Sequence, residues 1–548
     1  MKKMSIFLLK TQGLALLLLF LAGGSPALAD PSSQAPVSPS RETSESSPAA
    51  SSETTSSETP PSETANDETQ DRRLWYEVRI ADTPTGWMEM VERRDGERLI
   101  SESSLRLEVK RAGSSQDLEI HSRFEESLDH RPIAAWARRD LGQTPMETTY
   151  EVVGDEVRVT SLSGERLEPL PEGEWLTPFA AQQEIARSVQ AVLADDPQPG
   201  DSFDVVALDA TVGLRAVKTT WTLEAPSVTV EVAGAERPAS RWKQSPDYAP
   251  GIVATVDVAR SGDLLRSVTP MMGLEMTVVL SDRESAKGSV VAQQAPELLT
   301  PSFIYPDRKI ENPRSLRSAT YHLSIPDADE LPLLPDTAVQ RSTRLKDGKV
   351  VVRVDLDAPR EASELEDREL YLRSTDFLQH DAPVIRGLLP ADLPGSPAQK
   401  AEVLRRLVEE HLDEKNLDSV LAGAVEAAER GAGDCTEHAV LLAALLRAVD
   451  IPSRVATGVI YAERFAGERD FFGYHMWTQA FVDGRWLDLD ATLAVPFDAA
   501  HITMAWSALE DSSAALVDLA SAAPWMGGLE IDVSELAYGS DRGSVEDR

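Results

Sequence analysis

One cysteine occurs in 548 residues, Cys435, in the run Gly-Asp-Cys-Thr-Glu-His-Ala. A thiol, once ionised, is a nucleophile. His475, Asp488 and Asp490 follow it in the chain. Thiol, imidazole and carboxylate are the parts of a nucleophile, its base and the group that orients the base. The chain also opens with an export pattern, and a lone cysteine in an oxidising compartment is a candidate reactive group.

The elements around these residues follow from local pattern. Gly431 and Gly433 end one helix and Asp434 can cap the next. From Thr436 to Val449 that helix is apolar almost all round (AVLLAALLRAV), which predicts burial. Cys435 then sits at a helix N-terminus. Unpaired N–H groups and the positive dipole end favour thiolate there, and the Cys435 N–H faces a possible oxyanion. Strands are predicted over 453–461 and 474–482, with a polar loop over 462–473 between them and Gly467 as a possible pivot. A tight turn at Asp483-Gly484 leads to a third strand over 485–492.

The tight turn tests the constellation. A two-residue loop sets Val482 opposite Arg485, Trp477 opposite Asp490 and His475 opposite Thr492. His475, Trp477, Asp488 and Asp490 then share one face. Met476, Ala480, Val482, Leu487 and Leu489 share the apolar one. Asp490 becomes the diagonal neighbour of His475, roughly 7–8 Å between backbones and within side-chain reach, with Asp488 a register further away. The expected roles are Cys435 as nucleophile, His475 as base and Asp490 as orienting acid.

The runs GDCTEHAVLLAALLRAVDIPSRVATGVIY and FFGYHMWTQAFVDGRWLDLDAT resemble the bacterial transglutaminase-like superfamily, over about residues 366–505. The resemblance implies a papain-like α+β core, with a Cys-bearing helix packed on an antiparallel sheet that bears His and Asp. It carries over to Cys435, His475 and Asp490. Animal members use an upstream Trp as second oxyanion donor, and papain-like proteases a Gln just before Cys. This chain has no Trp between Trp242 and Trp477 and no such Gln, so that donor is unassigned. No calcium-loop motif appears, and neither a metal nor a cofactor is expected. Around the triad, Asp434 and Glu437 support the helix start. His438 takes a packing role rather than half of a metal site, and Trp477 walls the cleft.

The remaining chain divides by composition. Residues 1–29 read as a cleaved signal peptide, with Lys2, Lys3 and Lys10, an apolar stretch of twelve and Ala27-Leu28-Ala29 before a cut at Ala29/Asp30. Twelve apolar residues are too few to span a bilayer, so no stable membrane insertion is expected after cleavage. Residues 30–73 are a Ser/Thr/Pro/Glu spacer without the apolar content to order itself. Residues 74–295 alternate with period two, which predicts a large antiparallel sandwich or open barrel, with two related halves as one arrangement, and one helix over 179–194. No motif there carries chemistry. A smaller β segment covers 300–360, and the catalytic domain 361–548 begins with helices over 401–414 and 417–430.

The charge of −37, with 91 acidic and 54 basic residues, excludes nucleic acid and anionic membrane as partners. The expected protein is periplasmic or secreted and acts on protein or peptide amides through a thioester. A silent binding module on the same fold and a cell-wall peptide amidase stand as alternatives.

Overall fold

The computed structural model describes residues 71–539, apart from 142–143, 250, 272–273, 291–293, 327–330, 359–361, 418, 420, 511–517, 519–521 and 527. The expected signal peptide and residues 30–70 of the expected spacer lie outside the described residues. Arg72 and Arg73, placed in that spacer above, begin the first strand.

The first strands are β1 (Arg72–Ile80), β2 (Thr83–Asp95), β3 (Arg98–Arg111), β4 (Ser114–Ser127), β5 (Pro132–Asp140), β6 (Met146–Val153), β7 (Glu156–Ser161) and β8 (Gly164–Pro169). Helix α1 (Pro178–Ala194) follows, then β9 (Ser202–Asp209), β10 (Arg215–Val232), β11 (Ala235–Pro246), β12 (Ala254–Val258), β13 (Leu264–Met271) and β14 (Leu274–Ser281). All fourteen strands form one antiparallel sheet in the order β8-β7-β6-β5-β4-β3-β2-β1-β14-β13-β12-β11-β10-β9. Alternation drives it: in β6 the side chains of Met146, Thr148 and Tyr150 are buried and those between them exposed. The apolar face gathers Tyr76, Val78, Leu107, Trp221, Trp242 and Val278 around Ala181, Ile185 and Val189 of α1. Only a strongly curled sheet can wrap one helix in this way. The two edge strands, β8 and β9, are consecutive in the chain and are joined through α1. Leu176, just before that helix, exchanges main-chain hydrogen bonds with Val206 and Leu208, which covers part of the β9 edge.

Helix α2 (Arg283–Gly288) leads into a four-stranded sheet made of β15 (Leu316–Ser324), β16 (Gln340–Arg344), β17 (Val350–Asp355) and the last strand of the chain, β22 (Glu530–Tyr538). Its order is β16-β17-β15-β22, so the chain's two distant stretches pair as neighbours. Helices α3 (Pro383–Leu388), α4 (Pro397–His411), α5 (Ala424–Arg430) and α6 (Cys435–Ala448) come next. They are followed by β18 (Ser453–Phe465), β19 (Glu468–Val482), β20 (Arg485–Leu489) and β21 (His501–Ser507), ordered β20-β19-β18-β21.

Two expectations change here. The helix predicted over 417–430 is confined to α5 among the described residues; ahead of it, main-chain groups go to other partners, with Glu414 O accepting from Gly433 N and Ala422 N donating to Glu437. The polar loop predicted over 462–473 is a hairpin extension of β18 and β19 instead. Phe471 and Phe472 are fully buried there, Phe471 stacks on Phe303 at 3.9 Å between centroids, and Phe472 exchanges main-chain bonds with Ile304. Apolar burial outweighed the polar residues around them. Among the described residues no helix is long and apolar enough to cross a membrane.

Candidate active site

Helix α6 starts from a reciprocal cap. The Asp434 carboxylate accepts from Thr436 N at 2.8 Å, and Glu437 reaches back to Asp434 N at 2.8 Å. Gly433 makes room for this return, since a Cβ there would lie 2.4 Å from Glu437 Cβ. Glu437 also accepts from Ala422 N at 3.0 Å and Ser419 Oγ at 2.8 Å. Burial works against its anion, yet these donors hold the carboxyl below its ordinary value. Every residue from Cys435 to Arg447 is buried, as the all-round apolar pattern predicts.

The cap has a further partner that no local pattern revealed. Arg111, the last residue of β3, donates to Asp434 Oδ2 at 2.8 Å and to Ser419 O at 2.6 Å. Both side chains of this ion pair are wholly buried. Gln116 of β4 adds a bond to Leu417 O at 2.7 Å. The β-rich region, read above as free of chemistry, thus places a guanidinium on the residue beside Cys435. Burial and the neighbouring Glu437 push Asp434 up to about 7, against the pull of Arg111.

Cys435 itself is fully buried. Burial, then the Asp434 carboxylate, pushes its thiol well above its ordinary value. A hydrogen bond from the Met476 main-chain N–H and the Arg111 charge pull the other way. Burial thus opposes the thiolate that the helix N-terminus favours.

His475 lies on β19 opposite Gly458 of β18, next to the residue that bonds the sulfur. The Asp483-Gly484 turn gives the predicted register, with Val482 opposite Arg485 and Thr478 opposite Leu489. Strand β20 stops at Leu489, short of the predicted Thr492. Asp490 begins a turn that Arg405 of α4 holds through Asp490 O at 3.2 Å. His475 Nε2 meets Asp490 Oδ2 at 2.8 Å. Asp490 Oδ1 accepts from Thr492 N at 2.9 Å and from the Thr492 hydroxyl. Since a carboxylate only accepts, Nε2 carries the proton and Nδ1 keeps its lone pair. That Nδ1 is buried and makes no hydrogen bond among the described residues. Burial holds the imidazole below its ordinary value, despite the pull of Asp490. Asp490 stays anionic: burial opposes the charge, but His475 and His501 hold the carboxyl well below the usual range.

The other predicted residues separate cleanly. Asp488 does not reach the imidazole; it accepts from Trp477 Nε1 at 2.9 Å and Gln479 Nε2 at 2.7 Å. Trp477, so fixed, stacks on His475 with centroids 6.0 Å apart. His438 donates Nδ1–H to Asp434 O at 2.7 Å, and burial lowers it to about 4, so it is neutral.

A residue the sequence reading missed is His501, at the start of β21. Its Nε2 lies 3.3 Å from the same Asp490 Oδ2 that His475 uses. The facing atoms of His475, Asp490 and His501 lie within 4.8 Å of one another. Hydrogen bonds already account for all three. Nothing in the run Phe-Asp-Ala-Ala-His marked it, because its approach depends on β21 pairing with β18.

A cavity of about 470 Å³ is lined by Arg111, Lys415, Leu417, Arg464, Phe465 and their neighbours. Of these, Arg111 bonds Asp434, and Lys415 Nζ donates to Thr492 O at 2.9 Å. Cys435, His475, Asp490 and His501 are not among its lining residues.

Comparison with known proteins bears on the same residues. Residues 391–491 match the family model described as Transglutaminase-like superfamily, a span that includes Cys435, His475 and Asp490. No match is found among curated proteins. A beta-barrel-like protein of a domain of unknown function from Brucella abortus is 11% identical, over 38% of this chain and 95% of its own, with a TM-score of 0.30. A candidate cysteine protease from Cytophaga hutchinsonii is 16% identical, over 42% of this chain and 89% of its own, at 0.23. A candidate protease from Parabacteroides distasonis is 11% identical, over 68% of this chain and 67% of its own, at 0.18.

Proposed function

We propose, from a chain whose residues 391–491 match the Transglutaminase-like superfamily, that this is an exported enzyme that transfers acyl groups from peptide or protein amides through a thioester on Cys435. One observation carries the reading: His475 gives Nε2–H to Asp490 at 2.8 Å, leaves Nδ1 unbonded, and adjoins the N–H that bonds the Cys435 sulfur.

Both reacting groups rest neutral. As an amide enters, Nδ1 of His475 takes the thiol proton and the sulfur forms a bond to the carbonyl carbon. Asp490 stabilises the imidazolium as it forms. The Cys435 N–H, in the helix turn whose N–H groups have no partner within the helix, faces the oxyanion. Collapse breaks the C–N bond, and the amine leaves with the proton from His475. Water or a second amine then opens the thioester, to give hydrolysis or cross-linking. Water is the favoured acceptor for an exported bacterial protein.

Treating a peptide mixture with the wild-type chain and with Cys435→Ala, followed by mass spectrometry, tests this. New termini, deamidation or joined amines that depend on Cys435 uphold it. Identical mixtures refute it. The full burial of Cys435 favours a second reading, a silent binding module on the same scaffold. That reading predicts alkylation of Cys435 no faster than of a model thiol, and no change in function on Cys435→Ser.

A further inference from the structure

His501 has no part in the triad, yet its side chain is wholly buried and both of its nitrogens face carboxylates. Nε2 lies 3.3 Å from Asp490 Oδ2, and Nδ1 lies 3.1 Å from Asp498 Oδ1. A neutral imidazole has one N–H, and a carboxylate has none to give. Bonding both acids therefore requires the doubly protonated, cationic ring. Asp498 is itself paired with Arg314 at 2.8 Å, so charges alternate inward: Arg314, Asp498, His501, Asp490. The ring is clamped in place by Phe497, stacked at 4.2 Å, and by Trp477, edge-on at 5.4 Å. Gln340 fixes the strand beneath it, with its amide bonded to Thr503 N and Thr503 O, each at 2.8 Å.

We propose that His501 is a positioning residue for His475: as a cation held between Asp498 and Asp490, it locks the carboxylate onto His475 Nε2 and keeps the base uncharged. The proposal rests on the acyl-transfer reading for its use, but its physics does not. An isolated carboxylate beside His475 would favour the protonated ring, which cannot accept the thiol proton. A cation on the far side of that carboxylate offsets the effect. The ring centroids of His475 and His501 are 5.9 Å apart. Unit charges at that distance in an effective dielectric of about 20 shift a titration by about two pH units. Asp498 screens part of this, so about one unit is the expected shift. Burial would discharge His501, but Asp498 and then Asp490 outweigh it and push the ring up to about 9. Other charged or titratable groups in this neighbourhood are Asp488 beside Trp477, Arg405 on the main-chain oxygen of Asp490, Lys415 on Thr492 O, and neutral His438 on the adjoining helix. None of them replaces the His501 cation on Asp490 Oδ2.

The test is a titration of the full chain carrying histidine labelled with carbon-13 at Cε1. Its eight resonances are assigned by loss in His475→Gln and His501→Gln. In the wild type, the His501 signal is expected to stay in its protonated position beyond pH 8. In His501→Gln, the His475 midpoint is expected to rise by about one unit. The double variant His501→Gln/Asp498→Asn removes the cation together with its outer anion, so no buried carboxylate is left facing the empty position, and the partly exposed Arg314 is left to water. It is expected to show a rise in the same direction, smaller because the Asp498 anion is lost as well. A His501 signal that titrates below pH 7, or a His475 midpoint within 0.3 units of wild type in the double variant, overturns the proposal. A purely structural His501 would lower thermal stability and leave that midpoint in place. Midpoints that behave as expected, alongside a peptide mixture unaffected by Cys435→Ala, uphold the positioning and sink only the acyl-transfer reading.

Discussion

Replacing Arg111 by Met removes a cation from the cap of the helix that carries Cys435. Its partner Asp434 would then have no access to water and no counter-charge at 2.8 Å, with the Glu437 carboxylate close by. Leaving one member of a buried pair uncompensated costs about 3–5 kcal/mol. The alternative is protonation, and that gives the perturbation a pH signature. Asp434 stands at about 7 with Arg111 present, above the carboxyl range of an unfolded chain. Without Arg111 it must rise further. An acid whose folded value is raised holds its proton more tightly in the folded state, so stability falls as pH climbs through that value. Each further unit of upward shift costs about 1.4 kcal/mol at pH values above it. At pH 5.5 Asp434 is protonated in both proteins, and the variant loses only the Arg111 hydrogen bonds, about 1–3 kcal/mol. At pH 8.5 the loss reaches about 3–5 kcal/mol. Hydrogen exchange of peptides from Cys435–Ala448, corrected for the intrinsic pH dependence, reads this locally without assuming that the chain unfolds in one step. The expected result is exchange faster in the variant by about a hundredfold to several thousandfold at pH 8.5, and by about one to two orders of magnitude less at pH 5.5. In an Asp434→Asn background the pH difference should vanish. An equal effect at both pH values, unchanged in that background, would refute the reasoning.

Asp490→Asn should cost about three to four orders of magnitude in thiol-dependent turnover while leaving the fold intact, because an amide no longer fixes the Nε2–H tautomer of His475. Thiol-dependent product formation, checked against circular dichroism, measures it. Gly458→Ala should be among the most damaging single changes, since a Cβ there would lie 1.9 Å from Ile502 O and 3.0 Å from the Trp477 ring. It must part β18 from β21, so a stability loss above about 3 kcal/mol is expected, read as a lowered melting temperature.

The parts of the site that could be read in advance are those fixed by short-range geometry. A two-residue turn after Val482 sets the register of β19 and β20, and register alone chose Asp490 over Asp488. The cap at Asp434 and the all-buried helix were likewise local. What stayed hidden came from elsewhere in the chain. Arg111 reaches Asp434 across a separation of 323 residues, and no periodicity in β3 announces that contact. His501 arrives through an edge strand whose pairing has no turn to fix it. The surroundings of the thiol are hidden for a related reason. The helix N-terminus is visible in the sequence, whereas the desolvation that raises the thiol is a property of the assembled interior. Residues 462–473 read as a loop in the sequence because Glu, Arg and Asp outnumber Phe471 and Phe472 there, yet these two apolar rings fix the backbone.

The central claim is that His475 activates Cys435. With one cysteine in the chain, every alkylation by iodoacetamide is counted at Cys435 by intact mass. Wild type and His475→Gln bury the thiol alike, so the ratio of their rates at neutral pH isolates the base from access. The account predicts wild type faster by about a hundredfold or more, the ordinary range for a positioned general base. Equal rates would contradict it.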